Sequence, residues 1–252
     1  MNVPSFSLEG RVALVTGAAQ GIGQALAVGL AHYGASVVVT DAAGDRLDET
    51  GSLVMATGQP HLVRRLDVTI GLEIAETIAA SIDRFGKIDI LVNNAGVRVP
   101  KSALDHTDED WDWLMGIDLR AVFVLSREVG RHMVERRDGR IINIASMMGL
   151  IAGPLRAGYC SAKAGVVNLT RALAIEWAPH SVRVNAICPG PITTPQTAER
   201  QKLGYSSTGE DIPMKRRATP DELIGAAVFL ASDASSYVTG SALVVDGGFT
   251  AQ

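Results

Sequence analysis

The chain has 252 residues, 47% apolar and 20% charged, with a formal net charge of −4. That composition suits a globular chain with a sizeable core, and the lack of a basic excess argues against nucleic acid or an anionic membrane as the main partner. Cys160 and Cys188 form no C-x-x-C pair, no signal-like N-terminus precedes the first apolar run, and no apolar run approaches ~18 residues, so a single cytoplasmic domain over 1–252 is expected.

Strand-length apolar runs alternate with longer helical patterns. The first, RVALVT (11–16), runs straight into TGAAQGIG and a helical pattern over 21–33. Glycines at 17, 21 and 23 let the backbone turn tightly, and helix N-terminal N–H groups stabilise a pyrophosphate there. Gly17, Gln20, Gly21, Ile22 and Gly23 are therefore candidate cofactor residues. The second strand, ASVVVTD (35–41), ends on Asp41, about twenty residues beyond the glycines. A carboxylate there accepts hydrogen bonds from both adenosine ribose hydroxyls and repels a 2′-phosphate. With alanines at 18, 19, 42 and 43, the expected cofactor is NAD rather than NADP; Arg46 is the residue that could reverse this.

A helical pattern over 44–57 leads to a third strand, HLVRRLD (61–67), closing on Asp67 and Val68 as adenine-side candidates. After a helix over 70–85, the fourth strand, IDILVNN (88–94), ends in NNAG. Asn93 reads as a structural amide first and a ribose contact second, while Gly96 allows close cofactor approach beside Asn94 and Ala95. A long helix over 107–137 opens on Thr107 and Asp110, spaced as a capping box. The fifth strand, RIINIAS (140–146), ends on Ser146. In the helix over 158–178, Tyr159 and Lys163 stand at i and i+4 on one face. A phenol titrates near ~10, too high for proton exchange at neutral pH, and a neighbouring ammonium lowers it. Tyr159 is thus the candidate proton carrier, Lys163 its tuning cation and Ser146 the donor that orients the reacting oxygen. VRVNAIC (182–188) and ALVVD (242–246) complete seven strands, with a helix over 220–231 opening on Thr219-Pro220. The alternation means a doubly wound parallel sheet with ligands at the strands' carboxyl ends, and the long stretch 191–219 reads as a substrate loop or lid.

TGAAQGIG, DVT at 67–69, NNAG, Ser146, YCSAK at 159–163, NAICPG at 185–190 and VDGG at 245–248 together resemble the short-chain dehydrogenase/reductase family over nearly the whole chain. The resemblance implies a single-domain Rossmann-like fold, a homotetramer or dimer, and hydride exchange between a nicotinamide cofactor and a secondary alcohol or ketone. It implies that Tyr159 is the acid/base, that Ser146 positions substrate, and that Lys163 contacts the nicotinamide ribose. Pro189 and Gly190 would turn over the nicotinamide, with Ile192 and Thr194 contacting the cofactor. One position departs: Asp118 stands where the family carries an asparagine that holds a proton-relay water.

For the substrate, Arg98 and Arg156 near the site suit a carboxylate or polyhydroxylated molecule. Met148 offers an adaptable wall, and Gln196 lies in a P-Q-T-A sequence resembling that of sugar-acid dehydrogenases of the family. The alternative is 3-oxoacyl-thioester reduction on a carrier protein, docked on Arg127, Arg131, Arg136 and Arg137; a different class is a non-catalytic NAD-sensing module. Five scattered histidines show no ligand spacing, so no metal is expected.

Overall fold

The computed structural model describes residues 3–195, 197 and 209–252. Seven strands form one parallel sheet: β1 (Val12–Thr16), β2 (Ser36–Asp41), β3 (His61–Arg65), β4 (Ile90–Asn93), β5 (Gly139–Ile144), β6 (Val182–Pro189) and β7 (Ala242–Val245). Their order is β3-β2-β1-β4-β5-β6-β7. The chain therefore winds outward from β1 one way and, after β3, returns to continue from β4 on the other side, which opens a crevice between β1 and β4.

Helices among the described residues include α1 (Gly21–His32), α2 (Leu47–Ala56), α3 (Gly71–Phe85), α4 (Asp108–Met115), α5 (Ala121–Arg136), α6 (Ala157–Trp177) and α7 (Ile224–Ala231). They cover both faces, which is why β1 is buried along its whole length. Ala13 and Val15 face a core shared with α1, α2 and α7. Val12 and Leu14 face the opposite core, built with α3, α5 and α6. On the first face α1 packs against α7 so closely that a methyl on Gly29 would lie 2.6 Å from Ile224.

The expected helix over 107–137 is divided. Its start is capped as the sequence indicates, with Asp110 N–H donating to Thr107 Oγ1 at 3.1 Å. Between α4 and α5, however, Gly116–Arg120 forms one wider π turn. The extra residue in that turn leaves the helical periodicity of the flanks intact and carries Asp118, fully buried, toward α6. Similarly, 44–57 begins as a short 3₁₀ segment at Gly44–Arg46 before α2, and 220–231 begins as 3₁₀ over Pro220–Leu223. Among the described residues, no helix is long and apolar enough to cross a membrane.

Candidate active site

At the carboxyl ends of the strands lies a cavity of about 660 Å³, lined from the glycine turn to the start of α6. Its phosphate end follows from packing at β1. Gly17 and Gly21 sit at φ of +65° and +59°, in the left-handed region that glycine enters without strain. At Gly23 a methyl would fall 2.0 Å from the Gly17 carbonyl oxygen and 2.4 Å from Asn94 Nδ2, so only glycine permits this closure. The Asn94 amide ties the two strand ends, donating to the Thr16 and Gly17 carbonyls at 2.9 Å each. Gln20, at the N-cap of α1, makes no side-chain cap, and the first turn holds no acidic residue. The helix N–H groups at this end are therefore positioned for an anion. This geometry fits the pyrophosphate of a dinucleotide.

Asp41 lines the same cavity. Its Oδ2 accepts from Ala19 N–H at 3.2 Å and its Oδ1 from Ala43 N–H at 2.9 Å. The carboxylate thus braces the glycine turn and keeps one acceptor site on each oxygen. Arg46 is exposed and lies outside the cavity lining. Asp67 and Val68 also line it. Asp67 Oδ1 is engaged by Thr69 N–H at 2.9 Å and Thr69 Oγ1 at 2.7 Å, and those hydrogen bonds hold its carboxyl below the usual range. Asn93 turns away into the sheet: Nδ2 donates to Asn143 Oδ1 at 2.8 Å and to Ser126 Oγ at 3.0 Å. Its structural assignment is correct, and Asn94, Ala95 and Gly96 are the residues of that motif that reach the cavity.

At the other end stand Ser146, Tyr159 and Lys163, all on the cavity and all buried. Ser146 caps a short 3₁₀ turn, accepting from Met148 N–H at 3.1 Å. Lys163 Nζ lies 5.7 Å from the centre of the Tyr159 ring. It donates to the Ile144 carbonyl at 3.2 Å and pairs with Asp118 Oδ2 at 3.2 Å. Asp118 Oδ1 accepts from Val97 N–H at 2.7 Å. The position where the family carries asparagine therefore holds a buried ion pair in this chain. Burial alone would push the Tyr159 phenol up, but Arg98, Lys163 and a hydrogen bond with Ser146 outweigh it and bring the phenol below its ordinary value, against a smaller opposing effect of Asp118.

Of the expected substrate contacts, Arg98, Met148 and Arg156 line the cavity. Arg98 Nη2 donates to Tyr159 Oη at 3.3 Å, and Arg156 Nη1 points to Met148 Sδ at 3.7 Å. Gln196 lies outside the described residues, as does the 198–208 part of the 191–219 loop. Pro189, Gly190, Ile192 and Thr194 are on the lining. A methyl on Gly190 would meet Asp246 Cα at 2.6 Å, which explains the glycine.

Sequence reasoning missed Trp113, Leu155, Arg217 and Phe249, all on the cavity. Arg217 comes in because Ile192 and Ala218 form an isolated parallel bridge, from which its Nη2 donates to the Ile192 carbonyl at 2.5 Å. The run Lys215-Arg216-Arg217 was the available signal for it. The arginines proposed as a carrier-protein docking face lie away from this cavity, and each has a partner near it. Arg136 binds Asp89, Arg137 donates to the Pro179 carbonyl, and Arg127 and Arg131 both pair with Glu128.

Residues 17–250 match the family model described as enoyl-(acyl carrier protein) reductase. The chain is 41% identical to a gluconate 5-dehydrogenase of Gluconobacter oxydans over 97% of its own length and 96% of that protein. It is 39% identical to a 3-oxoacyl-[acyl-carrier-protein] reductase of Thermotoga maritima over 96% of its own length and 98% of that protein. Among solved structures, a putative NAD(P)-dependent gluconate 5-dehydrogenase of Beutenbergia cavernae with bound NADP superposes with a TM-score of 0.92 at 40% identity, covering 98% of this chain and 99% of that one. With the seven-stranded parallel sheet and the glycine turn described above, these matches make the chain a member of the short-chain dehydrogenase/reductase family, an oxidoreductase that acts on CH–OH groups with a nicotinamide cofactor.

Proposed function

We propose that the chain oxidises a secondary alcohol of a small sugar acid or polyol, or reduces the matching ketone, with Tyr159 as the proton-transfer group. The carrying observation is a buried phenol, flanked by two cations, that opens on the same cavity as the glycine turn. A bound nicotinamide dinucleotide would supply the hydride acceptor for oxidation, or the hydride donor for reduction, at the carbinol carbon. Tyr159 Oη takes the alcohol proton during oxidation and returns it during reduction. The Ser146 hydroxyl donates to the substrate oxygen and fixes its distance from the phenol. Lys163 would contact the nicotinamide ribose and keep a positive charge beside the phenol; Asp118 and the Ile144 carbonyl hold its ammonium in place. Gly17, Gln20, Gly21, Ile22 and Gly23 would hold the pyrophosphate, with Asp67, Val68 and Asn94 to Gly96 along the adenosine side. Pro189, Gly190, Ile192 and Thr194 would close over the nicotinamide.

NAD is the preferred cofactor in this reading, because Asp41 puts a negative charge where a 2′-phosphate would lie. Arg98 and Arg156 on the lining favour a carboxylate-bearing substrate, consistent with the relatives named for gluconate. Reduction of a 3-oxoacyl thioester is less supported, since several similar proteins are named for gluconate or 2-dehydro-3-deoxy-D-gluconate. An oligomer fits the fully exposed Tyr237 and the 79% exposed Ile175, and a cytoplasmic setting fits two free thiols.

The decisive test is Tyr159→Phe assayed by gluconate oxidation with NAD+, alongside a panel of polyols and 3-hydroxyacyl thioesters. Turnover should fall at least ~10²-fold while NADH binding, read by fluorescence, is kept. Full turnover in the variant would end the catalytic reading and leave a nucleotide sensor. A kcat/KM ratio favouring NADP+ would refute the role given to Asp41.

A further inference from the structure

Asp118 and Arg98 alter the charge around Tyr159 in opposite senses. Asp118 is fully buried and 3.2 Å from Lys163 Nζ. A carboxylate that close cancels much of the field the ammonium exerts on a ring centred 5.7 Å away. Arg98, from the loop after β4, stands nearer. Its Cζ is 4.9 Å from the ring centre, and its Nη2 donates to the phenol oxygen at 3.3 Å. A guanidinium keeps its charge at any working pH, so it stabilises a phenolate without titrating itself.

We infer that Arg98 is a catalytic residue of this chain, placing on Tyr159 Oη the positive charge that Asp118 withdraws from Lys163. The inference rests on Tyr159 being the proton-transfer group. Among the described residues, charged and polar groups reach the part of the cavity around the phenol from several elements. Lys163 and Arg156 come from α6 and its start, Arg98 from the β4 loop, Asp118 from the π turn and the Ser146 hydroxyl from beyond β5; Arg217 and Asp211 are on the same lining. Of these, Arg98 and Lys163 lower the phenol and Asp118 raises it, in agreement with the distances. Arg98 is exposed, so its effect is screened by solvent, whereas buried Asp118 is screened far less.

The test is an ultraviolet titration of tyrosinate, with and without NAD+, on matched pairs of proteins. The chain has four tyrosines, so subtracting a Tyr159→Phe partner isolates the one of interest. Arg98→Gln should move the Tyr159 midpoint up, lowering its ionisation constant about three- to tenfold, and Arg98→Lys should recover most of that loss. Asp118→Asn should move the midpoint down by a similar factor, and the double variant should return to within about twofold of the parent. An Arg98→Gln midpoint within about twofold of the parent overturns the inference, whatever happens to the KM for gluconate; Arg98 would then be a substrate contact alone. Should Arg98→Gln fail to fold, an Asp118→Asn midpoint that stays or rises overturns it equally. Full turnover in Tyr159→Phe, by contrast, defeats the underlying reading and leaves this titration intact.

Discussion

Thr16 offers a quantitative test of how the cofactor end is held. It closes β1 with 1% of its surface exposed. Its Oγ1 accepts from the N–H groups of Asn94 and Ala95 at 3.0 and 3.1 Å, and it donates to the Val92 carbonyl at 3.4 Å. Thr16→Val keeps the shape and the β-branch but strands two backbone donors. An unsatisfied buried donor costs about 1–3 kcal/mol, and water reaches these half-buried groups in part, so about 2–4 kcal/mol in total is expected. For a domain of this size that is a fall in Tm of roughly 5–15 °C. Thr16→Ser keeps the hydroxyl and should lose only about 1 kcal/mol, the worth of a buried methyl. Thermal and urea unfolding of the three proteins measures both numbers, and NADH titration should show weaker binding in the valine variant, since Asn94 and Ala95 line the cavity. A valine variant within about 1 kcal/mol of the parent, or a serine variant equally damaged, would refute the reasoning.

Three other variants probe separate parts of the molecule. Gly23→Ala drives a methyl into the Gly17 carbonyl at 2.0 Å, and NADH affinity should drop at least ~100-fold with a lower Tm; unchanged binding would mean the turn does not hold the cofactor. Gly71→Ala, at the first position of α3 with nothing within 4 Å of its would-be methyl, should instead stabilise by about 0.5 kcal/mol. Asp89 is fully buried: burial would raise its carboxyl, but Arg136, Lys87 and the Val12 N–H outweigh it and hold it below its usual range. A depressed carboxylate stabilises above its unfolded pKa and loses that stabilisation as pH falls through the folded value. Asp89→Asn should therefore cost about 3 kcal/mol at neutral pH, with the gap to the parent closing below about pH 4; a pH-independent gap would show that charge is not the cause.

Much of this was legible in the sequence because the period of the pattern decides it. VALVT is apolar at every position, which only a sheet covered on both faces accommodates, and each of the seven strand readings fell within a few residues of the observed bounds. Tyr159 and Lys163 were readable because helix geometry alone brings i and i+4 together. What the sequence hid arises from tertiary closure. The π turn at Gly116–Arg120 leaves no periodic signature, so the distance from Asp118 to Lys163 could not be read from spacing. Arg217 reaches the cavity through a single bridge between Ile192 and Ala218, and Phe249 through the turn after β7. Arg217 lies in the basic run at the end of the 191–219 loop and Phe249 just after VDGG, but neither spacing says that the side chain turns into the cavity. The role of Arg98 was half visible: its place after NNAG put it at the mouth, but only the fold lays its guanidinium on the phenol oxygen.

The two ends of the sheet solve opposite problems, and this explains why chemistry occupies one of them. At the amino ends, Asp89, Asp138 and Asp233 are matched by Arg11, Lys87, Arg136 and Arg140, a network that fixes strand ends and leaves little room for a ligand. Beneath the carboxyl-end cavity, the buried polar side chains that link β4 and β5 to α5 and α6 are neutral amides and hydroxyls. Asn93 and Asn143 are register partners on β4 and β5 and bond each other at 2.8 Å; Asn143 passes on to Thr170 of α6 at 2.9 Å, and Thr170 donates to the Val166 carbonyl at 2.8 Å. Neutral hydrogen bonds tie the floor of the cavity to the helix that carries Tyr159 and Lys163 without adding charge beneath the phenol. Among the described residues, the charged side chains that act on Tyr159 are Arg98, Lys163 and Asp118, beside the Ser146 hydroxyl. Exchanging asparagine for aspartate at 118 is tolerable on such a floor because the one charge it adds is met by Lys163 on one side and offset by Arg98 on the other.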